Sequence, residues 1–338
     1  MEPRIPLLLP DLPDPQALRP WLEQAHRARR YANFGPLVLQ FEQEVAEIFA
    51  HRSPAGDTVA VTTVSSATVG LELVLQATNL PSHSAVLLPA LTFPATATAV
   101  VRTGHRPVFA DVDPVSWQLT PTLAEDAIRR HQVAAVIPVA VFGNPVAPGP
   151  WEAFSSATGV QVVIDAAAAF EWQEPSASIP AVLSLHATKP VGVGEGGLVV
   201  GGPPALTRRV RELSNFGFGR YIIRSVGTNG KLSEFHAAVG LAQLRRLDAI
   251  RAPREAAWAA YRTAVDRLGP AVTPGRSPAG WIPSTLSVLT SANAGDVAAE
   301  LAHRGIETRQ WYCPGLDRHP ALEGYRGGGG QVDRDTGG

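Results

Sequence analysis

Seven short stretches of this chain are apolar almost without interruption: residues 59–64, 85–88, 107–112, 134–142, 160–164, 181–185 and 198–200. A strand with one face in water alternates apolar and polar residues, whereas a run without alternation belongs to a strand covered on both faces. Segments with helical character separate the runs, at residues 68–77, 122–130, 151–158 and 206–213. Strand, helix, strand repeated in this way predicts an α/β fold, a mostly parallel sheet sandwiched by helices. Such open sheets bind ligands beyond the carboxyl ends of their strands, and functional residues are therefore sought there.

At 338 residues, with 45% hydrophobic and 17% charged side chains, the chain can bury one large core and a smaller second one. Beyond residue 233 the pattern changes to helices at 234–250 and 252–268, a loop at 276–281, a strand at 284–289 and a helix at 294–304. The expected division is an N-terminal segment (1–30), a large ligand-binding domain (31–245), a smaller, incomplete α+β C-terminal domain (246–325) and a glycine-rich tail (326–338) too poor in apolar residues to be ordered. A net charge of −1 argues against nucleic acid as a partner. The densest basic run, His26-Arg27-Ala28-Arg29-Arg30, reads as a solvated helix face. Cys313 is the only cysteine, which excludes an intrachain disulfide and suits a reducing compartment. The apolar run near the N-terminus is too short for a signal peptide, and no stretch approaches the ~18 apolar residues of a membrane span. The nine histidines are scattered without ligand spacing, so no metal site is expected. These features together predict a soluble cytoplasmic protein.

Chemistry concentrates where apolar runs end. Lys189 follows the run at 181–185 and precedes a glycine-rich turn, Gly192-Val-Gly-Glu-Gly-Gly197. A solvated lysine is the commoner case, but one partly withdrawn from water loses basicity and becomes a nucleophile for carbonyls. The turn matches the dinucleotide pattern GxGxxG, yet Leu198-Val-Val continues as a strand instead of the helix which that motif requires. Asp165 ends the run at 160–164; it either caps a following helix or faces a cation, of which a protonated pyridine nitrogen is one. Ser65-Ser66-Ala67-Thr68 leads from a strand into a helix whose free amides suit a phosphate, with simple capping as the alternative. Phe93, after the run at 85–88, offers a ring for stacking or for the core.

In order and spacing these residues resemble the sugar-nucleotide aminotransferases of the aspartate-aminotransferase fold, the DegT-like family. The matching segments include Asn33-Phe-Gly-Pro36, Phe41-Glu42, Ser66-Ala-Thr68, Thr92-Phe93, Asp165-Ala-Ala, Ser184-Leu-His186-Ala-Thr-Lys189, Asn215-Phe-Gly217 and Gly227-Thr-Asn229-Gly-Lys-Leu-Ser-Glu234. The resemblance covers residues from about 30 to 320. It implies pyridoxal 5′-phosphate bound in the large domain as a Schiff base on Lys189, which also moves the reaction's proton. By the same resemblance Asp165 pairs with the pyridine nitrogen and Phe93 stacks on the ring. Ala67, Thr68 and Ser184 hold the phosphate, and His186 lies near the ring. Asn229 reaches the phosphate of a neighbouring subunit, which makes a homodimer with shared active sites. The implied reaction moves an amino group from an amino acid, glutamate in most relatives, to a nucleotide-linked keto-deoxysugar for polysaccharide or antibiotic-sugar synthesis. The motifs look most like those of enzymes making 4-amino-4,6-dideoxy sugars.

Two departures stand out. Ala168 occupies a position where the family carries glutamine or histidine near the cofactor's phenolic oxygen, and the sequence dissolves into glycine and charge where relatives continue. They motivate a rival expectation, a cofactor-binding homologue without turnover.

Overall fold

A computed structural model describes residues 4–53, 56, 58–312 and 314–325. Cys313 and the 326–338 tail, with the expectations attached to them, lie outside the described residues. Two helices come first, α1 (Pro15–Ala28) and α2 (Pro36–Ala50), each with proline at its first position, where a missing N–H costs nothing. Asp14 caps α1 by accepting from the Gln16 amide at 2.8 Å, and Arg29 ends it in a left-handed conformation. The basic run is thus half helix and half turn, and it is exposed throughout.

The alternating region follows as β1 (Val61–Val64), α3 (Ala67–Ala77), β2 (Ala85–Pro89), α4 (Pro94–Arg102), β3 (Arg106–Ala110), α5 (Pro121–Arg130), β4 (Val133–Val136), α6 (Pro148–Thr158), β5 (Gln161–Val162), β6 (Ile164–Asp165), β7 (Pro180–Ser184), β8 (Gly197–Gly201) and α7 (Pro204–Ser214). Strands β3-β2-β4-β5 form a parallel ladder; β6-β7-β8-β1 form another in which only β8 runs antiparallel. The two ladders are continuous, because β5 and β6 are one strand interrupted at Val163. That residue's N–H reaches Val136 O at 3.0 Å, and Asp165 N reaches Pro138 O at 3.0 Å. A mostly parallel seven-stranded sheet results, as the apolar runs predict.

Successive strand residues divide between two cores. Ala181 and Leu183 of β7, Leu198 and Val200 of β8, and Ala85 and Leu87 of β2 pack with α2, α5 and α6. Val182, Val199, Val86 and Leu88 pack on the other face with α3, α4 and α7. Each fully buried aliphatic side chain contributes roughly 1.5–3 kcal/mol, so alternation would have halved what each strand gains. Gly70 lets α3 sit close to the sheet: a Cβ there would lie 2.9 Å from Val182.

The run at 134–142 forms a strand only to Val136. Pro138 has no N–H to extend the ladder, and the chain turns through a short 3-10 segment at Val141–Gly143. Later come α8 (Glu234–Leu244), α9 (Leu247–Leu268), the antiparallel pair β9 (Val272–Pro274) and β10 (Val288–Thr290), and α10 (Ala294–His303). The break between α8 and α9 falls at Arg245-Arg246, six residues before the expected place; α9 continues through Pro253. No described helix is long and apolar enough to cross a membrane. Three contacts tie the later residues to the sheet's carboxyl edge: Leu316 N to Ala90 O (3.0 Å), Trp281 Nε1 to Gly143 O (2.9 Å) and Asn144 Nδ2 to Arg276 O (2.8 Å).

Candidate active site

Since β8 is antiparallel to both its neighbours, β1, β2, β4, β6 and β7 all point the same way, and their carboxyl ends bring the sequence's candidates to one edge. Asp165 closes β6, its main chain fixed by the bond from its N–H to Pro138 O and by Ala140 N donating to its carbonyl at 2.8 Å. Its side chain is 4% exposed. Thr96 Oγ1 donates to Oδ2 at 2.8 Å, and the Ala167 amide approaches Oδ1 at 3.2 Å. With the Thr96 proton committed to Asp165, Thr92 Oγ1, 2.8 Å away, is the donor to Thr96, giving a relay Thr92→Thr96→Asp165. Burial holds the Asp165 carboxyl above the usual carboxylate range; Thr96, the Ala167 amide and the charge of Lys189 pull it back only in part.

Lys189 sits in the turn after β7, its amide bonded to His186 O at 2.8 Å. The side chain is half-buried. Desolvation lowers its basicity, while the carboxylate of Asp165 acts in the opposite sense and loses. The buried acid and the desolvated amine therefore share one electrostatic field.

The remaining candidates surround this pair unevenly. Ala67 and Thr68 form the first turn of α3, where amides have no acceptor within the helix. Ser66 caps that helix through its side chain, accepting from Val69 N at 3.2 Å, so capping and free amides coexist and do not compete. Gly197 of β8 is packed against this turn: a Cβ would lie 2.7 Å from Ala67 N. Ser184, at the end of β7, accepts from the His186 amide at 3.2 Å. Phe93 precedes α4 with its ring 56% exposed, leaving a face free instead of filling the core. His186 is exposed, and its ring is engaged locally by Thr188 Oγ1 (3.0 Å) and Glu195 (3.8 Å). Asn229 is exposed and bridges to Asn215, while its neighbour Gly230 accepts from Ser65 N at 2.7 Å beside the start of α3.

Three neighbours of the pair are not among the sequence candidates. Thr96 lies four residues after Thr92, and that i, i+4 hydroxyl spacing across a helix start is a usable signal. Phe142 and Tyr312 carry no local signal. Tyr312 arrives from the far end of the chain, stacked on Phe142 with ring centroids 5.4 Å apart. Among the described residues no group of three or more histidine, cysteine or acidic side chains is arranged to hold a metal ion.

Comparison with known proteins gives the chain's family and fold. The profile of the DegT/DnrJ/EryC1/StrS aminotransferase family matches residues 16–331. Protein Rv3402c of Mycobacterium tuberculosis strain H37Rv is 32% identical over 336 residues, which span 94% of this chain and 79% of the relative. A dTDP-4-amino-4,6-dideoxy-D-glucose transaminase of Shigella dysenteriae is 30% identical over 268 residues, 78% of this chain and 70% of that enzyme. Among solved structures, a putative PLP-dependent aminotransferase from Bacillus cereus ATCC 10987 superposes with a TM-score of 0.87 at 28% identity, covering 94% of this chain and 89% of its own. DesI, crystallised in the presence of its TDP-sugar product, gives 0.80 at 32% identity, with coverage of 97% and 83%.

Proposed function

The chain belongs to the DegT/DnrJ/EryC1/StrS aminotransferase family, and from that premise we propose that this pyridoxal-phosphate-dependent sugar aminotransferase takes its amino group from glutamate and delivers it to a nucleotide-linked keto-deoxysugar. The observation that carries the reading is the desolvated amine of Lys189 in the field of the buried carboxylate of Asp165. The residues suit the cofactor. A carboxylate with one hydroxyl and one long amide bond has room for a cationic N–H, and the start of α3 offers amides to a phosphate. Pyridoxal 5′-phosphate supplies an aldehyde for the amine and an electron-withdrawing ring.

In this reading each residue has a defined task. Burial keeps part of the Lys189 population neutral, so Nζ can attack a carbonyl and later take the proton from the donor's α-carbon and return it. Asp165 Oδ1 and Oδ2 hold the ring nitrogen protonated. Ala67 and Thr68 amides and the Ser184 hydroxyl grip the phosphate, Phe93 covers one ring face, and His186 stands at the ring's margin. Asn229 of the partner subunit completes the phosphate site in a homodimer. The exposure of Asn229 and of nearby Tyr221, Ile222, Ile223 and Val226 supports that assembly. Nucleotide-linked sugars are cytoplasmic substrates, and polysaccharide or antibiotic-sugar synthesis is the setting we infer.

Borohydride treatment of protein reconstituted with cofactor should fix it covalently to wild type and leave Lys189→Ala unlabelled. Glutamate should bleach the visible absorbance of wild type, and the 4-keto counterpart of a dTDP-4-amino-4,6-dideoxy sugar should restore it, with the amino sugar detected by mass spectrometry. General acid–base loss alone predicts roughly 10²–10⁴-fold slower turnover for Lys189→Ala. Equal labelling of both proteins would overturn the assignment, and a glutamate-insensitive spectrum would restore the rival without turnover.

A further inference from the structure

An aromatic cluster lies beside the segment that leaves Asp165, and its construction is costly. Phe142, between β4 and α6, holds a left-handed backbone (φ 53°, ψ 18°), which is strained for a bulky side chain and persists only where packing demands it. Gly143 follows at φ +85°, and a Cβ there would lie 2.7 Å from the carbonyl oxygen of Ala168. The strained turn is thus pressed against the segment leaving Asp165. It places the Phe142 ring flat on Tyr312, 5.4 Å between centroids with 6° between planes, and Trp117 backs Phe142 edge-on at 6.1 Å. Phe93 meets Tyr312 edge-on at 6.3 Å and 69°, and Trp311 stacks on it at 5.8 Å. Among the described residues the Tyr312 ring meets Phe93, Phe142 and Trp311, and no hydrogen bond engages its hydroxyl. That hydroxyl is therefore uncommitted.

The phenol also belongs electrically to the catalytic pair. Burial, with a smaller contribution from the negative charge of Asp165, pushes its ionisation well above the ordinary phenol range, so at any working pH it is a neutral donor. Ala168, three residues past Asp165, offers only a methyl group, so the segment that passes the ring has no side-chain donor at that position.

We propose that Tyr312, held by ring contacts with Phe142 and Phe93, is a positioning residue that donates its hydroxyl proton in a hydrogen bond to the phenolic oxygen of the cofactor ring, the task Ala168 cannot perform. The proposal rests on the aminotransferase reading and adds a residue to it. A donor stabilises negative charge on that oxygen, weakening its hold on the proton of the lysine-linked nitrogen. Loss of the donor therefore raises the pH at which the bound cofactor's absorbance titrates.

The test uses full-length protein reconstituted with pyridoxal 5′-phosphate, with borohydride fixation confirming that cofactor is bound in each variant. Tyr312→Phe keeps the ring contacts, and its absorbance midpoint should move upward by about one pH unit, the size of one hydrogen bond to a charged form. Adding Ala168→Gln to Tyr312→Phe supplies a donor from the segment that follows Asp165 and should bring the midpoint back toward wild type. An unmoved midpoint in Tyr312→Phe with cofactor fixed overturns this assignment alone. Failure of wild type to take up cofactor at Lys189 overturns the aminotransferase reading, and this inference falls with it.

Discussion

Glu234 and Asp165 are two carboxylates withdrawn from water in different parts of the molecule, and the groups around them differ in kind. Glu234, at the start of α8, is wholly buried, and its two oxygens accept from Leu37 N at 2.8 Å and Val38 N at 3.1 Å in the first turn of α2. It closes a helix end that has no side-chain cap of its own, and Gly35 leaves it room, since a Cβ there would lie 2.6 Å from the carboxyl carbon. Glu42 repeats the pattern on α2, taking Thr63 N (2.8 Å), Thr63 Oγ1 (2.9 Å) and the guanidinium of Arg211 (2.6 Å). Asp165 has one hydroxyl and one long amide bond. All three accept at both carboxylate oxygens; what sets Asp165 apart is that the charge of Lys189 acts on it at the sheet's carboxyl edge, where a further cation can be received.

Replacing each carboxylate by its amide breaks or sharpens that contrast. Asp165→Asn should carry the larger effect on function. Transamination should fall by ~10²–10³-fold, the scale for removing one electrostatic partner of a developing charge. The cofactor-free protein should melt no lower than wild type. The folded-state pKa of Asp165 lies above its unfolded value of 3.8, so the folded state retains a proton there and stability falls as pH rises through that window. Asparagine has no such dependence, so its advantage over wild type should be absent in acid and full above the folded pKa. Lys189 runs the other way, with stability rising between its depressed pKa and 10.5. Calorimetry of both cofactor-free proteins from acid to neutral pH decides; strong destabilisation by Asp165→Asn would make this acid structural.

Glu234→Gln should reverse the pattern. One of its charge-assisted bonds is lost and an NH₂ group is turned toward a main-chain N–H. The expected cost is about 2–3 kcal/mol, or roughly 5 °C in Tm for a chain of this size. Below the transition, cofactor fixed at Lys189 should match wild type. Loss of labelling in proteins that remain folded would mean that the α2–α8 junction reaches the site.

The contrast also explains what could be read in the sequence. Uninterrupted apolar runs disclose the sheet because both its faces are covered, and Lys189 and Asp165 stand out because each places a charge where such a run ends. Glu42 and Glu234 recur in motifs without any visible reason, since their partners lie 21 and 197 residues away and emerge only when α2 docks on β1 and α8. Tyr312 is hidden for the same reason: its neighbours Phe93 and Phe142 precede it by well over a hundred residues. Helices α2 and α4 escape periodicity, since apolar residues of α2 face both α8 and the sheet and α4 is a short run of alanine, threonine and valine. Pro36 and Pro94 at their first positions were the available signal.

The smallest effect comes at the start of α3, where a complete donor set and an open one occupy the same turn. Ser66 Oγ satisfies Val69 N, while the Ala67 and Thr68 amides keep their protons for a ligand. Ser66→Ala removes the cap and leaves those amides in place, so it should lower stability by about 1 kcal/mol. Affinity for cofactor, followed by fluorescence titration, should change by less than about 3-fold, because helix-terminal anion binding depends chiefly on main-chain groups and the helix dipole. If Ser66→Ala released cofactor as readily as Asp165→Asn, the hydroxyl would be the phosphate ligand. Capping and binding would then be one function at this helix, and the separation of scaffold groups from binding groups that distinguishes Glu234 from Asp165 would not extend to α3.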